Sequence, residues 1–468
     1  MTATTSREPA DLVLGYITSA RWFAGKGRRA ELAGLTPLPW LTGSGEWPAV
    51  RFEVAEIGYP ESASATELYQ LAVSYRSAPE PGLEQAEIGS FELADVGPVV
   101  AYDATRDPQA CRLIMDRLLS EQSSTTGDAR LGFHLVAGDV LSPELEPRVF
   151  TGQQSNTSVM YGDVAMLKLF RRLEIGHNLD IEVHESLSRS GIGDVAQLYG
   201  YIDASWTGSN SRAGAPLVAD LAMVVEKLAD AEDGWELALS ALGVGRDFTG
   251  RARDLGRALA EIHEALRAEF PTAEVSGAQT AGVMQDRLAS AAEVAPQLTP
   301  LEDGLRRCFD ALSKTRLATQ RVHGDFHLGQ TLYTPGGWKI IDFEGEPVKS
   351  LAERAEPDSV WRDIAGMLRS FDYAAATVPG EDSRSWADAC RAAFLSGYAG
   401  GDLGADDAAV LRAYEADKAV YEVVYETRNR PDWVGIPLAA VASIAASAAP
   451  ETASHRRTTS IASAQPHR

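Results

Sequence analysis

Only three cysteines, Cys111, Cys308 and Cys390, occur in 468 residues, far apart and odd in number. That excludes a disulfide framework and a cysteine-based zinc knuckle, and it points to small buried hydrophobes in a reducing, cytoplasmic setting. No run of 18 apolar residues occurs, and the first eleven residues show no basic stretch ahead of an apolar one. Neither a membrane span nor a secretory signal is therefore expected. Basic residues are also in short supply: 43 Lys and Arg stand against 66 Asp and Glu, a formal charge of −23. Nucleic acid and anionic membrane surfaces both need a basic patch, so neither is an expected partner. A phosphate ligand stays open, because one lysine, a few backbone amides and a metal can hold it locally.

What is present is an ordinary globular composition, 45% hydrophobic and 23% charged, in a chain long enough for two or three domains. Residues 1–100 read as a small α/β unit, with a helix over 12–23 and strands over 49–54 and 69–74. An amphipathic helix follows over 108–121, and then residues 148–150, 158–161 and 165–170 read as three consecutive antiparallel strands. Asn178 is placed to cap a helix running through Asp180, Glu182 and Leu187, and residues 222–228 form another strand. Beyond that the chain is mostly helical, including stripes over 255–270 and 411–428. The expected division is 1–145 as an extra N-terminal unit, 146–228 as a β-rich lobe, 229–450 as a helical lobe, and 451–468 as a disordered tail. Such segregation makes an α+β, bilobal fold with a ligand cleft between the lobes.

The strongest signal is Val322-His-Gly-Asp-Phe-His-Leu-Gly-Gln330, then a strand, the turn Thr334-Pro-Gly-Gly337, and a strand leading into Ile341-Asp-Phe-Glu-Gly345. This is a loop and a hairpin that returns a carboxylate beside the loop it left. An aspartate, an amide five positions on and a downstream Asp-Phe-x-Gly carboxylate form the pattern used in protein-kinase phosphoryl transfer. Asp325 is expected to orient the attacking hydroxyl and accept its proton. Gln330 and Asp342, with Glu344 as a further ligand, supply the oxygen donors that Mg²⁺ prefers beside nucleotide phosphates.

Upstream, Gln154, Ser155, Asn156, Thr157 and Ser158 lie between two strands, where small polar residues can present amides and hydroxyls to phosphate. Lys168 sits among apolar neighbours on the next strand, and an inward lysine needs a carboxylate partner. Glu182 is the expected partner, with Glu185 second. On the 411–428 helix, Tyr421 and Tyr425 share a stripe with Lys418, and Glu422 and Glu426 flank it. Aromatic faces with carboxylate acceptors suit a sugar, whose hydroxyls donate, although a core-facing stripe with a solvated flank accounts for the pattern equally well. His327, Arg369, Tyr373 and Trp433 are further acceptor-site candidates, whereas His263 reads as structural.

These motifs, together with Asp233-Gly-Trp-Glu236, Arg362-Asp-Ile-Ala-Gly-Met-Leu-Arg369, Tyr421-Glu-Val-Val-Tyr-Glu426, Arg430-Pro-Asp-Trp433 and Arg21-Trp-Phe-Ala-Gly-Lys26, resemble the actinobacterial maltokinases over essentially the whole chain except the tail. The resemblance implies an aminoglycoside phosphotransferase-like, protein-kinase-like fold with an N-terminal cap. It also implies use of ATP and Mg²⁺ to phosphorylate the anomeric hydroxyl of maltose for glycogen and α-glucan synthesis. Asp325 is then the catalytic base, Gln330 and Asp342 are metal ligands, Lys168 is the phosphate lysine with Glu182 as its partner, and Asp363 braces the catalytic loop. Gln153 departs from the family, which favours Glu there. Members of the family are sometimes associated with trehalose synthase, a possible partner. The alternatives are a kinase of another sugar or aminosugar, such as a glucosamine kinase, an aminoglycoside phosphotransferase, or an inactive kinase fold that only binds glucan or a partner enzyme.

Overall fold

In a computed structural model of the chain, the described residues are 8–43, 45–61, 66–150, 155–208, 215–346 and 349–448. The expected tail over 451–468 lies outside them. The N-terminal unit is α1 (Pro9–Ser19) and five antiparallel strands, β1 (Glu31–Pro37), β2 (Ala49–Gly58), β3 (Glu67–Arg76), β4 (Glu87–Leu93) and β5 (Gly97–Asp103), in the sheet order β1-β2-β3-β5-β4. Two-residue alternation sends the strands' side chains to two different cores. Tyr69, Leu71, Val73 and Tyr75 of β3 pack with Val13 and Ile17 of α1. Leu68 and Ala72 face the other way, with Val50, Phe52 and Val54 of β2, into the next layer. The helix expected over 12–23 stops early: Ala20 is extended, and Phe23 turns back to pack on Tyr69 with ring centroids 5.4 Å apart.

That next layer begins with α2 (Pro108–Leu119), capped by Asp107, whose side chain accepts from the amides of Gln109 and Ala110. A seven-stranded antiparallel sheet follows, built from β6 (Ser124–Thr126), β7 (Ala129–Leu135), β8 (Pro147–Val149), β9 (Thr157–Tyr161), β10 (Ala165–Leu169), β12 (Leu198–Trp206) and β13 (Leu217–Glu226), in the order β6-β7-β12-β13-β10-β9-β8. The expected boundary between residues 145 and 146 therefore cuts this sheet. β7, N-terminal to the boundary, pairs with β12, with Ile202 opposite Phe133. Between β10 and β12 lie the short β11 (Arg172–Leu173) and α3 (Leu179–Arg189). β11 leaves this sheet and pairs with β3, Arg172 opposite Tyr69, so the chain is stitched into both sheets.

The remainder is mainly helical. β14 (Glu232–Asp233), α4 (Gly234–Gly243), α5 (Thr249–Glu269), β15 (Ala273–Ser276), α6 (Gly277–Val294), α7 (Glu302–Asp310) and β16 (Arg316–Thr319) lead to the hairpin β17 (Thr331–Thr334) and β18 (Gly337–Ile340). After it come α8 (Leu351–Ala355), α9 (Trp361–Thr377), α10 (Ser383–Ala399), α11 (Ala405–Asn429) and α12 (Gly435–Ser447). One core joins them, with Leu255, Leu259, Ile262 and Leu266 of α5 against Ile364, Leu368 and Phe371 of α9 and Phe394 of α10. Among the described residues no helix is long and apolar enough to cross a membrane, and the three cysteines are buried and unpaired.

Arg171 joins the N-terminal unit to the seven-stranded sheet. Its guanidinium, 1% exposed, donates from Nη2 to Asp103 Oδ2 at 2.5 Å and to Thr105 Oγ1 at 3.3 Å, and from Nε to Thr157 Oγ1 at 2.7 Å. The hydroxyl of Tyr16 donates to the same Asp103 oxygen at 2.5 Å. Burial works to raise the Asp103 carboxyl, but Arg171 and these hydrogen bonds outweigh it and hold the group below the usual aspartate range. Its contribution to stability is thus present above the ordinary aspartate value of about 3.9 and is lost as the pH falls below it. Arg171→Met strands a buried carboxylate and is expected to cost about 3–5 kcal/mol in denaturant unfolding at neutral pH. A loss below about 1 kcal/mol would show that the pair does not hold the two units together.

Candidate active site

β10 places Leu167 and Leu169 in the core and turns the alternate residue, Lys168, to the opposite face. Its ammonium contacts three carboxylates: Asp180 Oδ2 at 3.0 Å, Asp342 Oδ1 at 2.8 Å and Glu344 Oε1 at 2.8 Å. Burial alone would strip the charge, yet the three carboxylates more than reverse that and hold Lys168 well above the ordinary lysine value. Lys168 pulls Glu344 down in turn, but burial and the charges of Asp342 and Asp180 leave that carboxyl raised.

Asp180, not Glu182, is the lysine's partner on α3. Residues two apart on a helix point about 200° apart, so one of the two must face away. Asp180 shares the buried face with Val183, His184 and Leu187, while Glu182 pairs with Arg321 at 2.8 Å and Glu185 with Arg189 at 3.8 Å. That i, i+3, i+4, i+7 pattern is readable in the sequence and is the signal for Asp180. The Asn178 side chain caps α3 by accepting from the Asp180 and Ile181 amides, and Asp180 Oδ1 accepts from the Phe343 amide at 2.9 Å. Burial opposes ionisation of Asp180, but Lys168 and His184 override it and lower its pKa.

The β17–β18 hairpin, with Thr331 opposite Ile340, returns the chain to the loop it left, and the Ile341 amide donates to Gln330 O at 3.1 Å. Asp342 then takes a left-handed conformation, φ 70°, which aspartate tolerates better than most residues, and turns its carboxylate toward Lys168. Gln330 Nε2 donates to Asp342 Oδ2 at 3.2 Å, so the amide nitrogen, not the carbonyl expected as a metal ligand, faces that carboxylate. Asp180, Asp342 and Glu344 each bring one oxygen within 4.8 Å of the others. An all-oxygen donor set of this kind fits Mg²⁺. Asp180 is buried, whereas the Asp342 and Glu344 side chains are each about a third exposed toward the cleft and are the residues that would hold the ion.

The loop carrying Asp325 is braced from beneath by Asp363, at the start of α9. Its oxygens accept from the amides of His323 and Gly324, both at 2.8 Å, and lie 3.0 Å from His263 Nε2. Gly366, one turn on, sits so close that a Cβ there would fall 2.5 Å from Phe326 O. His323 Nε2 faces Ile341 O at 2.9 Å, and that carbonyl can only accept, so the proton sits on Nε2. Nδ1 is left to accept from the Asp325 amide at 3.4 Å. Asp325 itself lies 3.3 Å from the ammonium of Lys418, a contact across 93 residues that local sequence pattern does not reveal.

The other expected residues divide between two regions. His327 caps the turn after the loop, accepting from the Gly329 amide at 3.1 Å. Arg369, Tyr373, Tyr421, Glu422, Tyr425 and Trp433 lie together on α9, α11 and the turn after it. Arg369 Nε donates to Glu422 Oε2 at 2.9 Å, and the Tyr373 hydroxyl donates to Glu426 at 3.2 Å. The Tyr373 and Trp433 rings stack at 6.4 Å, and those of Tyr421 and Tyr425 at 6.3 Å. Of the phosphate-loop candidates, Gln154 lies outside the described residues. Asn156 and Thr157 accept from Arg171, the former from its backbone amide at 3.3 Å. Ser155 and Asn156 line a cavity of about 270 Å³ with Trp22 of the N-terminal unit, Phe170, Glu344 and Arg354, while Ser158 is buried in β9.

The family profile described as "Maltokinase N-terminal cap domain" matches residues 16–107, and that of the "Phosphotransferase enzyme family" matches residues 245–414. The chain is a capped, maltokinase-like phosphotransferase. Its fold is the bilobal one of aminoglycoside phosphotransferase-like kinases, with the cap added ahead of it. This phosphotransferase is 29% identical over 401 residues to a protein named "Glucosamine kinase" from Streptacidiphilus jiangxiensis, covering 74% of this chain and 88% of that one. It is 26% identical over 331 residues to a "Glucosamine kinase" from Mycolicibacterium smegmatis, covering 64% and 79%. A solved structure titled "Glucosamine kinase in complex with glucosamine, ADP and inorganic phosphate" superposes with a TM-score of 0.63 at 20% identity, over 94% of this chain and 99% of that one.

The separation of Asp180 from Glu182 is testable. Asp180→Ala should lower kcat/KM for the nucleotide by at least about tenfold more than Glu182→Ala, because only the former leaves Lys168 and Asp342 misaligned. Equal losses in steady-state assays would contradict the assignment.

Proposed function

We propose that the chain is an ATP-dependent sugar kinase whose acceptor is maltose and whose product is maltose 1-phosphate, a precursor for α-glucan synthesis. Asp325 accepts the proton of the anomeric hydroxyl while its oxygen attacks the γ-phosphorus. The bond to the β,γ-bridging oxygen breaks and ADP leaves. Lys168 contacts the nucleotide's phosphates, and Mg²⁺, held by Asp342 and Glu344, neutralises their charge when bound.

One observation favours a neutral sugar over an aminosugar. Both carboxylates beside the acceptor candidates already have their cations: Glu422 pairs with Arg369 at 2.9 Å and Glu426 with Arg430 at 2.7 Å. An ammonium entering such a wall gains no unpaired charge, whereas hydroxyls and sugar C–H faces can use the hydrogen-bonding edges and the stacked rings. The second reading, glucosamine as acceptor, is favoured by the two relatives, both glucosamine kinases by name.

Side-by-side turnover of maltose, glucosamine and kanamycin, with the product's phosphate position fixed by NMR, separates these readings. Maltose phosphorylated at its anomeric oxygen is the expected result. Turnover of glucosamine without maltose would overturn the choice. Asp325→Asn should lower kcat on the order of 10²-fold or more while the protein remains folded.

A further inference from the structure

We infer that Lys418 is a positioning residue that holds the base Asp325 in place from the acceptor helix; the inference rests on the proposed role of Asp325. Lys418 lies on α11, one turn ahead of Tyr421 and Glu422. Its ammonium stands between two carboxylates, Asp325 Oδ1 at 3.3 Å and Glu346 Oε1 at 3.4 Å, and 5.2 Å from the centre of the Tyr421 ring. Glu346 is fixed independently. Arg362 Nη2 pairs with its other oxygen at 2.8 Å, and Arg362 Nε donates to Gly324 O, directly before the base, at 3.2 Å.

The backbone under Asp325 is thus gripped from α9, by Asp363 and Arg362, while among the described residues the carboxylate itself is paired with a cation from α11. An aspartate keeps two side-chain torsions whatever its backbone does, and like charge on Glu346 would push the carboxylate away. The ammonium between them reverses that repulsion, and its three donors let it hold both groups at once. Because Lys418 is rooted in the helix that carries the acceptor wall, base and acceptor share one rigid element. A reacting hydroxyl and its base gain most from such fixed relative placement.

Lys418→Met is expected to lower kcat on the order of 10- to 100-fold with KM for ATP within about twofold of wild type, and Lys418→Arg, which keeps the charge, should regain part of the loss. The decisive comparison is the double variant: a residue acting through Asp325 adds no further loss in an Asp325→Asn background. Should Lys418→Met not fold, Lys418→Gln gives the same readout. Losses that multiply, or a kcat for Lys418→Met within about twofold of wild type, would overturn the inference. If Asp325→Asn itself keeps its activity, it is the assignment of the base that fails, a distinguishable result.

Discussion

One ammonium among three carboxylates is the constraint around which this molecule is organised. Lys168, Asp180, Asp342 and Glu344 come from a strand, a helix and the segment after a hairpin, 176 residues apart at the extreme, and they meet within 3.0 Å contacts. Asp180 is buried and Lys168 largely so, and neither charge is tolerable there alone, so the strand and the helix are held where the partners need them. The Asn178 cap sets the start of α3, the hairpin register sets Asp342, and the left-handed turn at Asp342 aims it. A cluster of this kind is both the join between the lobes and the place where phosphate charge can be met.

The second level of organisation works by bracing. Asp363 and Gly366 on α9 fix the loop that carries Asp325, one by taking two backbone amides and the other by letting the helix approach. Arg171 does the equivalent for the turn ahead of β9, proposed to meet phosphate, linking Thr157 to Asp103 of the cap. The cap is therefore continuous with the side of the cleft proposed to hold the nucleotide. The proposed acceptor side is built differently, from long helices joined by ion pairs and carrying partly exposed rings.

Much of this was legible in the sequence because it depends on local pattern. The loop-hairpin-carboxylate motif, the Asn178 cap and the antiparallel strands around Lys168 all follow from spacing and side-chain chemistry, whereas the bracing role of Asp363 comes only from the family resemblance. What was missed depends on angle or on distance along the chain. Glu182 and Glu185 are the partners that charge type and proximity suggest, whereas the helical face, readable from Val183, His184 and Leu187, points to Asp180. The hydrogen bond of the Gln330 side chain to Asp342 forms across the hairpin and is invisible in a residue name. The contact of Lys418 with Asp325 spans 93 residues and required the packing of α11 against the catalytic loop. The seven-stranded sheet crosses the expected boundary at 145 because strand pairing between β7 and β12 carries no local signal.

The central claim is that the carboxylates around Lys168 form a metal-dependent nucleotide site. Calorimetric titration of the full chain with ADP, with and without Mg²⁺, for wild type and Asp342→Asn, tests it most directly. The account predicts binding that strengthens markedly with Mg²⁺ in wild type and loses that dependence in the variant. ADP binding of equal strength with and without Mg²⁺, or the same Mg²⁺ dependence in both proteins, would contradict it.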